Sequence, residues 1–119
     1  MTLVSQWLIF IFMNTSPPIT VIETPSFMRD AKKLLNDDEL RDLVSFLAYN
    51  PSAGIVLKGT GGIRKIRWAR EGGGKSGGFR VIYFFHSLEI PLFALAIFAK
   101  NEKSNISQSE RNALRKLTA

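Results

Sequence analysis

A basic, glycine-bridged hairpin constrains this chain more than any other stretch. Gly62-Ile-Arg-Lys-Ile-Arg-Trp-Ala-Arg-Glu71 and Phe79-Arg-Val-Ile-Tyr-Phe-Phe85 are rich in β-branched and aromatic residues, and Gly72-Gly-Gly-Lys-Ser-Gly-Gly78 separates them. That pattern predicts two antiparallel strands joined by a flexible turn. Seven basic residues lie between Lys58 and Arg80 (Lys58, Arg64, Lys65, Arg67, Arg70, Lys75, Arg80) against one acid, Glu71. The hairpin therefore carries strong positive potential.

Strand alternation sorts these charges. With a period of two, Lys65 and Arg67 share a face with Ile63 and Ala69, whereas Arg64 and Arg70 lie opposite with Ile66 and Trp68. On the next strand Arg80 shares a face with Ile82 and Phe84, and Val81, Tyr83 and Phe85 take the other. If helices cover the Ile66, Trp68, Val81, Tyr83 face, Lys65, Arg67 and Arg80 project together from the second face. Three cations on adjacent strands of one face are costly unless an anion joins them.

The remaining pattern supplies the cover. Ile19-Thr-Val-Ile-Glu23 reads as a first strand. Thr24-Pro25 offers an N-cap followed by proline, and Phe27, Ala31, Leu34 and Leu35 then form one apolar stripe. Asn36-Asp-Asp-Glu39 caps a second helix whose stripe is Leu40, Leu43, Val44 and Leu47, ended by Asn50-Pro51. Ile55-Val-Leu57 either packs or makes a short strand. Strands are expected at about Ile63 to Arg70 and Phe79 to His86, with a third at Leu92 to Ala99, apolar at nearly every position and so a central strand covered on both faces. Ser107-Gln-Ser-Glu110 opens a terminal helix with Ala113, Leu114 and Leu117 on one side. The expected fold class is α+β: a mainly antiparallel sheet, an N-terminal helical hairpin on one face and a C-terminal helix.

At 119 residues the chain is one domain's worth, placed at residues 19–119. Residues 1–18 form an N-terminal apolar extension. Its run Trp7-Leu-Ile-Phe-Ile-Phe-Met13 is too short for a bilayer span, and no Lys or Arg precedes Arg29 to make a secretory signal. It reads as a docked arm or edge strand, as a membrane-association segment, or as an upstream extension of a chain whose true start is Met13. The clean start of the domain pattern after it favours the last. The absence of cysteine rules out a disulfide framework or thiolate metal site and fits a reducing cytoplasm.

Charge is uneven along the chain. Residues 1–57 hold four bases and six acids, and residues 58–119 hold twelve bases and four acids, so the second half is the expected contact surface. Nucleic acid is the first polyanion to consider, an acidic protein the second, and a merely solvated basic surface the plain alternative.

Other chemistry finds less support. Gly74-Lys75-Ser76 ends like a Walker A loop, with Ala69 where the pattern has its first glycine. A P-loop needs a helix directly after Lys-Ser, and Gly77-Gly78 leads into a strand instead. The single histidine, His86, sits at a strand end, where a structural role is expected. The carboxylates cluster in the capping region and show no metal-ligand spacing, so neither a metal nor a small-molecule cofactor is expected.

Arg64-Lys-Ile-Arg-Trp-Ala-Arg70, Gly74-Lys-Ser-Gly-Gly78, Arg80-Val-Ile-Tyr83, Phe98-Ala-Lys-Asn-Glu102 and Ser107-x-x-Glu110 occur in order. Over residues 19–119 they make the chain similar to the RelE/HigB toxins of bacterial type II toxin-antitoxin systems, within the RelE/ParE superfamily. The resemblance implies a cytoplasmic endoribonuclease that cleaves mRNA on the ribosome, needs no metal, inhibits translation, and is held inactive by a cognate antitoxin. Contact with operator DNA would come only through that antitoxin. It also implies site residues: Lys65 and Arg67 as the basic pair, either of them the candidate base, Arg80 on the scissile phosphate, and Lys100 as a fourth cation. Arg64, Arg70, Lys75 and Lys103 are the expected further RNA contacts. The family often carries another Arg or a Tyr near the C-terminus. Asn101 and the aromatic-free tail from Lys103 to Ala119 depart from that, which leaves the general acid open. The alternative function is a non-catalytic nucleic-acid- or protein-binding module that uses the same basic face.

Overall fold

The computed structural model describes residues 17–69 and 78–99, together with Ser109, Asn112, Ala113, Arg115 and Lys116. Each helix begins where its capping chemistry lies. Helix α1 is Pro25–Leu34, with the Thr24 hydroxyl accepting from the Phe27 N–H and Pro25 at the first helical position. Helix α2 is Asp37–Tyr49. Asn36 and Glu39 close a reciprocal capping box across it, at 2.8 and 2.9 Å, and Asp37, Asp38 and Glu39 complement the helix dipole.

Five strands form one sheet: β1 Val21–Glu23, β2 Ile55–Val56, β3 Ile63–Trp68, β4 Phe79–Phe84 and β5 Leu92–Ala99. Their spatial order is β1-β5-β4-β3-β2. All neighbours are antiparallel except β1, which runs parallel to β5 with Val21 opposite Leu92. The α+β class and the helical hairpin on one face are as the sequence predicts. Ile55-Val56 proves to be a strand, and the apolar β5 is interior, with β4 rather than β5 at the centre of the sheet. Strands β3 and β4 are each two residues shorter than expected, ending at Trp68 and Phe84. The described residues of the predicted C-terminal helix are helical and exposed, Ala113 among them; Leu114 and Leu117 lie outside the described residues.

The sheet has an apolar cluster on each face. Against the helices, Phe79, Val81, Tyr83, Leu92, Ala94 and Ile97 bury with Phe27, Ala31, Leu35, Leu43 and Leu47, flanked by Ile66 and Trp68. On the second face Leu57, Ile63, Ile82 and Phe98 form a smaller cluster. Leu95 is skipped in the pairing, since Ile82 faces Ala96 and Tyr83 faces Ala94. That bulge lets Ala94 and Ile97, three positions apart, face the same helices.

Tyr83 ties the sheet to the loop after α2. Fully buried, its hydroxyl accepts the Gly54 N–H at 2.7 Å and donates to the Pro51 carbonyl at 2.8 Å. Arg64 reinforces the same loop, donating to the carbonyls of Ser52 at 3.2 Å and Gly54 at 2.7 Å. A Cβ on Gly54 would come 2.7 Å from the Tyr83 hydroxyl, so only glycine fits there. Burial pushes the Tyr83 phenol above its ordinary pKa of 10.0, against the Gly54 N–H and the Arg64 charge, which both favour the phenolate.

Tyr83→Phe is expected to cost about 1–3 kcal/mol, because it strands the Gly54 N–H and the Pro51 carbonyl; urea denaturation checks this. The raised Tyr83 pKa contributes stability below the phenol's ordinary value of 10.0 that is lost as pH rises past it. Alkaline unfolding of the wild type should therefore set in above that value and be less steep in Tyr83→Phe. Leu43→Ala, at a fully buried position, should cost about 2–5 kcal/mol.

Candidate nucleic-acid interface

Antiparallel pairing of β3 with β4 sets Lys65 opposite Ile82 and Arg67 directly opposite Arg80. Ile82 belongs to the second-face cluster, so by alternation Lys65, Arg67 and Arg80 all stand on the face away from the helices, as the sequence predicts. Arg67 is exposed, while Lys65 and Arg80 are half-buried. Buried Gly78 leads into β4 beside Arg67, and a Cβ there would lie 3.4 Å from Arg67 Nε.

Arg80 holds the most telling atom. Its Nη1 is buried and finds no hydrogen-bond partner among the described residues. Leaving such a donor unsatisfied costs about 1–3 kcal/mol, more for a charged group. Arg67 directly opposite adds like-charge repulsion to the same strand pair. The fold thus pays to keep two guanidinium groups side by side.

Other expected contacts fall elsewhere. Arg64 is on the helix side, where it holds the Ser52–Gly54 carbonyls and its Cζ lies 5.7 Å from the Phe85 ring centroid. It is not brought to the Lys65, Arg67, Arg80 face. Arg70, Lys75, Lys100 and Lys103 lie outside the described residues. His86 is exposed and stacks on Phe84 with ring centroids 6.3 Å apart and planes 7° from parallel. Among the described residues no group of three or more His, Cys, Asp or Glu could hold a metal ion, and no helix is long and apolar enough to cross a membrane.

Sequence reasoning missed the loop anchor made by Arg64 and Tyr83. A signal was present: a phenol on the buried face of a strand requires a polar partner. The unsatisfied Arg80 donor left no such trace, since it depends on how neighbouring side chains close around one nitrogen.

An oxyanion that satisfies Arg80 should stabilise the folded state by mass action. Phosphate is therefore expected to raise the melting temperature above that in chloride of matched ionic strength, by general exclusion as well as by binding, and Arg80→Ala to reduce the difference; an equal phosphate effect in the variant would show that Arg80 binds no anion.

Two comparisons bear on this arrangement. An arginine-to-alanine double mutant of E. coli toxin RelE in the free state has the same fold. It aligns with a TM-score of 0.53 and 15% sequence identity, over 84% of this chain and 96% of that one. The sequence model of the family described as the RelE toxin of the RelE/RelB toxin-antitoxin system matches residues 19–119. With the fold and this sequence match in agreement, the chain belongs to the RelE toxin family, as the toxin member of a toxin-antitoxin pair whose partner is a cognate antitoxin.

Proposed function

We propose that the chain is a metal-independent endoribonuclease that cleaves mRNA on the ribosome, and so inhibits translation in the cytoplasm until its antitoxin covers the basic face. The observation that carries this reading is the Arg67–Arg80 pair with its buried, unsatisfied Nη1 beside Lys65. Cleavage by internal transesterification uses the substrate's own 2′-hydroxyl as nucleophile. The protein has to align the backbone and neutralise charge developing on the phosphate. In this reading Arg80 holds a non-bridging phosphate oxygen and Arg67 shares the charge. Lys65 is the group suited to proton transfer, because a guanidinium stays protonated. These cations meet the charge that a metal would otherwise neutralise.

Lys100 is the proposed fourth cation, and Arg70, Lys75 and Lys103 are further proposed RNA contacts. Arg64 is assigned to the loop instead, since it stands on the helix side and its Nη1 donates to two backbone carbonyls there, although its buried Nε has no hydrogen-bond partner among the described residues. An antitoxin with an acidic, apolar tail would complement the face and would carry any operator-DNA contact.

The test is to map mRNA 5′ ends after brief induction of the chain alone, with and without Arg80→Ala. The wild type should arrest growth and yield new cleavage ends. Arg80→Ala should lose both effects while melting at the same or a higher temperature, since it removes an unsatisfied buried donor. Normal growth on strong expression of soluble wild type would sink the proposal.

A further inference from the structure

The second face of the sheet does not end at its cations. Along β4 that face reads Arg80, Ile82, Phe84, and the alternation continues past the strand to His86. Phe84 is joined from β5 by Phe93, with ring centroids 6.4 Å apart and planes at 44°, and from beyond the strand by the nearly parallel His86 ring. Phe84 and Phe93 are partly buried and His86 is exposed, so the outermost ring of the group is the one solvent reaches. Gly62 keeps the other side of Phe84 clear: a Cβ there would approach its Cε1 to 3.2 Å, and its φ of 116° disfavours any side chain.

A strand rises about 3.4 Å per residue, so Phe84 lies about 14 Å along the sheet from Arg80. One face therefore carries phosphate-binding groups at one end and a flat aromatic group at the other. Single-stranded nucleic acid is recognised by that combination, with cations tracking the backbone and rings stacking on bases.

We propose that Phe84, His86 and Phe93 form a base-stacking subsite. In it the exposed His86 ring, held flat against Phe84, takes an unpaired base of the RNA whose phosphate lies at Arg80. The proposal rests on reading this face as an RNA surface, and it adds a contact remote from the reacting phosphate. It gives the lone histidine a binding role that needs no proton transfer. Because a π-face is common to all bases, the subsite would add affinity with little sequence preference.

The experiment measures binding of the full chain to a single-stranded oligoribonucleotide of about eight residues, within the range of single-strand binding sites. The oligonucleotide is 2′-O-methylated throughout so that it cannot be cleaved, and is paired with a wholly abasic strand of equal charge. His86→Ala should weaken binding of the normal strand by about fivefold to a hundredfold, the range for loss of one stacked base, and leave the abasic strand unaffected. His86→Tyr, which keeps a flat ring, should restore binding.

Equal weakening on both strands, equal loss in His86→Ala and His86→Tyr, or no binding of the normal strand by wild type would each overturn the subsite. Melting curves of both variants confirm folding. The catalytic reading is judged separately by mRNA cleavage during induction. Cleavage without base-dependent binding removes the subsite alone, whereas base-dependent binding without cleavage removes the catalytic reading alone.

Discussion

The pairing of β3 with β4 determines both what this domain buries and what it displays. Six consecutive residue pairs, from Ile63 with Phe84 to Trp68 with Phe79, are locked in one register. That register sends Ile66, Trp68, Val81 and Tyr83 into the helical layer. A slip of one residue would put Lys65 and Arg67 under the helices and Trp68 outside. The cost of burying charge thus enforces the alignment that sets Arg67 beside Arg80.

A second constraint works from the other side of the sheet. Tyr83 and Arg64 both reach the Pro51–Gly54 loop, and the loop runs directly into β2, whose Ile55 pairs with Lys65. The strand that carries Lys65 is therefore held on both edges, by β4 and by a short edge strand whose entry is anchored to buried hydrogen bonds. Thr60 completes the frame. It is fully buried, and its hydroxyl donates to the Leu57 carbonyl and accepts the Ile63 N–H where β2 turns into β3. The cations are thereby mounted on a rigid strand, which suits a surface that must align a substrate and resist mutual repulsion.

Much of this was legible in the sequence because the strongest signals are periodic or local. The caps at Thr24 and Asn36, the two helical stripes and the face assignment of Lys65, Arg67 and Arg80 follow from residue spacing alone. What was illegible depends on distant meetings. The parallel docking of β1 on β5, the bulge at Leu95 and the Tyr83–Gly54 contact each join residues with no local pattern linking them. Arg64 shows the limit most clearly. Alternation placed it on the helix side, yet its charge and its place in the basic block suggested RNA; only the carbonyls of Ser52 and Gly54 show what its Nη1 holds.

The parallel strand β1 bears on how the chain assembles. Val21 pairs with Leu92, and the Thr24 hydroxyl, which also caps α1, donates to the Ala94 carbonyl 70 residues away. The helical hairpin, which leaves the ribosome directly after β1, buries its stripe against strands made last. Its apolar face has no lasting partner until β5 has been synthesised. Assembly is therefore dominated by long-range closure, which slows folding and leaves the early segment exposed during synthesis. A chain of this order reaches its working form only after nearly all of it is made.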